Sequence, residues 1–192
     1  MKNNSIILFA RFISIAFSPI VVTGLYIYFI FSKYPLYSLE ISMVLTIYII
    51  IFLPAYVIKL LKSYPKIQLG EDLNREDRVL VFFALATASL INLSLLLAFD
   101  NYGHLVKLNI ILFLYWGIFF LINYMIDKVS VHSGWFTFTL MAIGGTYPIV
   151  FLGFLFIPLL AWSRLTLHKH TWFQIIFGSV IGAFIGILAW VV

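Results

Sequence analysis

What most constrains this chain is a succession of near-continuous apolar runs, each close to the length of a bilayer crossing and separated by short polar segments. A hydrocarbon core of about 30 Å takes roughly 20 apolar residues in helical form. The backbone amides inside it must be satisfied within the protein, a demand that a helix meets by itself. Composition agrees: 64% of the 192 residues are hydrophobic and 10% charged, where a soluble domain carries about 25% charged residues. Mean hydropathy is +1.10. The sequence therefore predicts an all-α, polytopic membrane helix bundle of about six transmembrane helices, one of them short or broken, forming a single membrane domain over 1–192.

The first span is predicted from about Phe12 to Phe31, kinked near Pro19 and Gly24. Met1-Lys2-Asn3-Asn4 followed by apolar residues has the outline of a signal peptide, but Arg11 interrupts the run and no small-residue cleavage site follows, so it is read as a retained helix. A second span runs from Ile41 to about Ile58, carries Pro54, and exits at Lys59, Lys62 and Lys66. Asn74-Arg75-Glu76-Asp77 reads as a helix N-cap with an acidic third position, so a helix starts near Arg75. It continues as a span from Val79 to Phe99, turns at Asp100-Asn101-Tyr102-Gly103, returns from about Leu108 to Ile126, and exits at Asp127 and Lys128. Trp135 to Ile143 is too short to cross alone. Gly144-Gly145 and Pro148 break it from a near-spanning piece, Tyr147 to Trp162, and the last span is Trp172 to Val192.

Counting crossings predicts that the segments around Arg78, His132 and Arg164–His170 return to one membrane face. His170, Gln174, Gly178, Gly182 and Gly186 recur every four residues, so they form one stripe on the last helix. Small residues there allow close packing, which turns His170 and Gln174 into the bundle. Ten of the 12 Lys and Arg residues fall on this face, with Lys33 and Lys107 opposite. Setting aside Arg75, Arg78, Lys128, Arg164 and Lys169 as possible phosphate ligands leaves five against two. The positive-inside rule then makes the face cytoplasmic.

Three arginines and three histidines gather there: Arg75, Arg78, Arg164, His132, His168 and His170. A guanidinium fork suits phosphate oxygens, and Arg75 and Arg78 share a side of one helical turn whose N-terminus favours an anion. The competing reading pairs them with Glu71, Asp72, Glu76 or Asp77 in a solvated loop. Histidine can attack phosphorus or protonate a leaving alcohol, so His132 and His170 can divide the two roles. His168 and His104 are read as structural or exposed. A metal site from Asp127, His168 and His170 lacks a convincing ligand spacing. The absence of cysteine removes thiol chemistry, disulfides and thiolate metal sites. A net charge of +5 without a soluble basic domain makes no case for nucleic acid, and anionic lipid or phosphate is the partner it suggests. Oligomeric state is left open.

Ser163-Arg164, five residues, then His170 resembles the third motif of the type 2 phosphatidic acid phosphatase family, Ser-Arg, five residues, His, three residues, Asp. Val129-Ser130-Val131-His132 resembles the family's second motif, Pro-Ser-Gly-His, and Arg78-Val79 is a faint trace of its first, lacking the lysine. The resemblance covers roughly Arg75 to Gly186, giving a phosphatase-like core at about 70–192. It implies that His170 is the phosphoenzyme nucleophile, His132 the general acid, Arg78, Ser130 and Arg164 phosphate ligands, and that no metal or other cofactor is needed. Arg75 stands in for the missing lysine on geometric grounds. Gln174 occupies the place of the family's aspartate, and Val129 and Val131 replace its proline and glycine. Small bacterial branches of the family show the same Ser-x-His and His-Thr-x-x-Gln pattern, which implies a bacterial plasma membrane. The expectation is thus a metal-independent phosphatase acting on a lipid phosphate or isoprenoid diphosphate. The alternative keeps the fold and binds lipid headgroups without turnover. A solute transporter is the weakest reading, since no internal repeat or mid-membrane charge is evident.

Overall fold

A computed structural model describes residues 2–33, 42, 44–49, 75–98, 103–126 and 128–189. Among these the protein is all-α, a helical membrane bundle without strands. Four helical stretches are long and apolar enough to cross a bilayer, Asn4–Ile30, Arg78–Ala98, Leu105–Met125 and Pro148–Thr166, and Trp172–Leu188 is a shorter apolar helix. The predicted span from Ile41 to Ile58 lies outside the described residues except for 42 and 44–49, which are helical.

Two compact units divide the chain, residues 1–30 with 128–191, and residues 31–127. In the first, α1 (Lys2–Ala16) begins well before the expected Phe12. Arg11 does not end the apolar run because it sits exposed on the helix, where a long side chain can carry its charge outward. The expected kink is a short interruption at Phe17-Ser18 within the stretch. Pro19 starts α2 (Pro19–Lys33), since it has no N–H to continue the ladder, and Ser18 caps the new helix by accepting from Val21 N at 3.4 Å and, through its carbonyl, from Val22 N at 3.0 Å.

The other unit holds α3 (Arg75–Ala98), close to its predicted bounds, and α4 (Gly103–Met125), which begins at the glycine expected in the turn and not near Leu108. They pack as an antiparallel hairpin through Phe82 with Trp116 and Phe119 and Phe83 with Phe120.

Back in the first unit, α5 (Val131–Gly144) is buried continuously from Ser133 to Leu140, as a helix apolar on all sides should be. Beyond the Gly144-Gly145 break, Pro148–Phe156 is a 3₁₀ helix that passes into α6 (Ile157–Thr166). Because 3₁₀ backbone rises about 2.0 Å per residue against 1.5 Å, these residues reach roughly 33 Å, where an α-helix of equal length would reach about 28 Å. A Cβ at Gly144 would collide with the Phe151 ring, and one at Gly153 would press on Leu140 at 2.5 Å, so this segment doubles back along α5. The last helix, α7 (Trp172–Leu188), runs parallel to α5. Cβ atoms at Gly178 and Gly186 would fall 2.6 Å from the carbonyls of Ser130 and Phe138, and one at Gly182 would collide with that of Gly134. Ser133 and Thr137 add two rungs, donating to the carbonyls of Ile175 and Ser179 at 3.1 and 2.9 Å. The predicted stripe is therefore the α5-facing side of α7. α1 runs antiparallel to α6, pairing Phe9 with Trp162, Ala10 with Ser163 and Phe17 with Phe156.

Candidate functional site

These directions gather the start of α5, the end of α6 and the start of α7 at one end of the first unit. The α6–α7 connection is built tightly. Helix α6 closes with His168 N donating to Leu165 O at 2.9 Å and Lys169 N to Arg164 O at 3.0 Å, the bond pair of a Schellman motif. His168 takes the left-handed position, φ 51°, usually held by glycine, and its side chain points to solvent. Lys128 Nζ donates to the carbonyl of Lys169 and ties this connection to the segment that enters α5. Ser130 N donates to Gln174 O at 3.2 Å, a second tie.

Both helices that start here are capped. Ser130, fully buried, is the N-cap of α5, its hydroxyl accepting from Ser133 N at 3.5 Å. His132 is the second residue of that helix and is half-buried. Thr171 caps α7 in a reciprocal box: its hydroxyl accepts from Gln174 N at 3.3 Å, and Gln174 Oε1 accepts from Thr171 N at 3.2 Å. The same oxygen lies 3.2 Å from Nδ1 of buried His170.

That shared contact orients the imidazole. A backbone N–H can only donate, so the carboxamide atom facing Thr171 N must be the oxygen. Nδ1 of His170 is therefore the nitrogen that donates, and in the neutral ring Nε2 is the one with the lone pair. Two helix N-termini side by side also place positive partial charge at this end. Arg164, in the last turn of α6, is fully buried, and its Nη1 donates to the hydroxyl of buried Ser14 on α1 at 2.6 Å.

The chain matches no family model, no curated protein and no solved structure.

Of the residues singled out from the sequence, Ser130, Gln174 and His170 are thus joined by hydrogen bonds, and Arg164 is linked to them through the short turn 165–169. His132 stands two residues past Ser130 in the same first turn of α5. Arg78 is buried in the first turn of α3, in the other unit, and the side chain of Arg75 lies outside the described residues, as do Asp127, Glu71 and Asp72. Among the described residues, no three His, Asp or Glu side chains group as a metal site would require. Two partners escaped the sequence reading. Thr171 had a signal, because Thr-x-x-Gln is a capping-box pattern. Ser14 had none, being a lone serine 150 positions from the arginine it meets.

Proposed function

We propose that the protein is a membrane-embedded phosphohydrolase that removes phosphate from an amphiphilic phosphomonoester or prenyl diphosphate through a phosphohistidine at His170, in the manner of type 2 phosphatidic acid phosphatases. The observation that carries this reading is the single oxygen of Gln174 shared by His170 Nδ1 and Thr171 N, which leaves Nε2 with its lone pair in the neutral ring. In the first step Nε2 attacks phosphorus, the P–O bond to the alcohol or phosphate leaving group breaks, and His132 gives its proton to the departing oxygen. In the second, water attacks phosphorus, gives a proton to the now neutral His132, and the P–N bond breaks to release phosphate and neutral His170. Arg164, Ser130 and the two helix N-termini stabilise the equatorial oxygens, where most phosphoryl-transfer catalysis resides. The family resemblance implies a phosphate role for Arg78, and Arg75 stands in for the missing lysine on geometric grounds alone. An apolar groove between α1 and α6, lined by Ser5, Ile6, Phe9, Leu159 and Trp162, suits lateral entry of an acyl or prenyl tail. The face is cytoplasmic by the distribution of Lys and Arg, in a bacterial plasma membrane by the motif pattern.

The test uses purified protein in detergent without divalent metal, given phosphatidic acid, lysophosphatidic acid and short prenyl diphosphates. Phosphate release that His170→Ala and orthovanadate both abolish is the expected result. Wild type and His170→Ala equally inert towards all of them, yet both binding, would instead establish the headgroup-binding reading. That second reading has one observation in its favour, the neutral Gln174, which holds the imidazole without a charge to stabilise its cation.

A further inference from the structure

Arg164 is wholly buried, at 0% exposure, and its Nη1 donates to a hydroxyl from α1, a helix outside the part of the chain that carries the phosphatase resemblance. We infer that Ser14 is a positioning residue for the phosphate site: its hydroxyl, 2.6 Å from Arg164 Nη1, sets the rotamer in which the guanidinium receives phosphate. The inference rests on the phosphate-binding role proposed for Arg164. Ser14 is itself 6% exposed, so the pair is desolvated, and a bond to a charged donor is stronger there than at a surface. A guanidinium has five N–H donors, so one bond to Ser14 is compatible with a two-pronged hold on phosphate. Preorganisation matters because a long arginine side chain otherwise loses rotamer freedom when the anion arrives.

A merely structural role for Ser14 is disfavoured by what surrounds it. Helices α1 and α6 are already held by Ser163 Oγ donating to Ala10 O at 2.6 Å and by the Phe9–Trp162 and Phe17–Phe156 ring contacts. Removing one hydroxyl leaves that seam intact. A carboxylate at position 14 would compete with any phosphate for the charge of Arg164.

The experiment measures binding of orthovanadate and inorganic phosphate to the full chain in detergent by titration calorimetry, with thermal unfolding and, where turnover is found, kcat and KM read in parallel. Ser14→Ala is expected to weaken vanadate binding roughly tenfold and to raise KM more than it lowers kcat, with Tm lowered only by the loss of one buried hydrogen bond. Ser14→Thr, which keeps the hydroxyl, recovers most of the affinity. Ser14→Asp folds with an undiminished Tm and loses roughly a hundredfold or more in anion affinity. Should Ser14→Ala fail to fold, the Thr and Asp substitutions carry the comparison. Variants that bind vanadate like wild type overturn the inference while leaving any measured turnover in place. A wild type that binds but does not turn over, with binding dependent on Ser14, upholds the inference and removes the enzyme. A wild type that does neither overturns both.

Discussion

At Gln174 one carboxamide oxygen serves two donors, the backbone of Thr171 and the ring of His170. The first contact stabilises the start of α7, and because it fixes which carboxamide atom faces the imidazole, it also fixes the histidine tautomer. In the proposed mechanism the amide does the orienting part of an aspartate's work, but it would not supply the charge that steadies a phosphorylated, cationic ring. Gln174→Asp is therefore expected to raise kcat by roughly tenfold to a hundredfold while KM changes little, measured as phosphate release at saturating substrate. A fall in kcat would mean that the shorter side chain no longer reaches Nδ1 and that geometry outweighs charge. His168, two residues away, shows the opposite case. Its conformation is that of a helix-ending position and its ring faces solvent, so a histidine beside the site belongs to the turn that delivers His170.

The seam between α5 and α7 is where element-level packing sets the site. Parallel helices can approach this closely only because glycine faces backbone at 178, 182 and 186, with Ser133 and Thr137 donating across the gap. The register of that seam decides that Ser130 meets Gln174. A Cβ at Gly182 would collide with the carbonyl of Gly134 and fall 2.6 Å from Thr137 Oγ1, and backbone cannot give way as a flexible side chain does. Gly182→Ala is thus expected to cost about 1–3 kcal/mol, with any activity lost alongside. Gly24→Ala is the control, because a Cβ there meets nothing within 4 Å. It should be neutral or stabilising by up to about 1 kcal/mol, and thermal unfolding in detergent separates the two. The 3₁₀ segment belongs to this scale too: its greater rise lets a piece that looked short of spanning cover a bilayer's thickness.

For the molecule as a whole, the orientation proposed from the basic residues, with the site end cytoplasmic, is easy to check because the chain has no native cysteine. In the first unit Lys169 lies at the site end and Gly145 at the other, exposed and at φ −61°, which any residue tolerates. In vesicles with the cytoplasmic face outward, an impermeant maleimide is expected to label Lys169→Cys and spare Gly145→Cys, and the reverse pattern would invert the orientation. Much of the architecture was legible beforehand, because apolar length, proline and glycine breaks, and helix caps are local signals. The bounds of α3, the break at Gly144-Gly145 and the stripe on α7 all follow from neighbours within a few residues. The start of α1 was misjudged because an arginine in an apolar run looks like an end until the helix shows it an outward path. By itself the sequence determined that this is a helical membrane protein, and that Ser130, His132, Arg164, His170 and Gln174 fall at helix ends with residue types suited to phosphate. Only the tertiary structure decided which nitrogen of His170 donates to Gln174 and that Ser14 meets Arg164. The reason is physical: hydrophobic length and capping are written in consecutive residues, whereas a hydrogen bond between residues 150 positions apart exists only once two helices have packed in register.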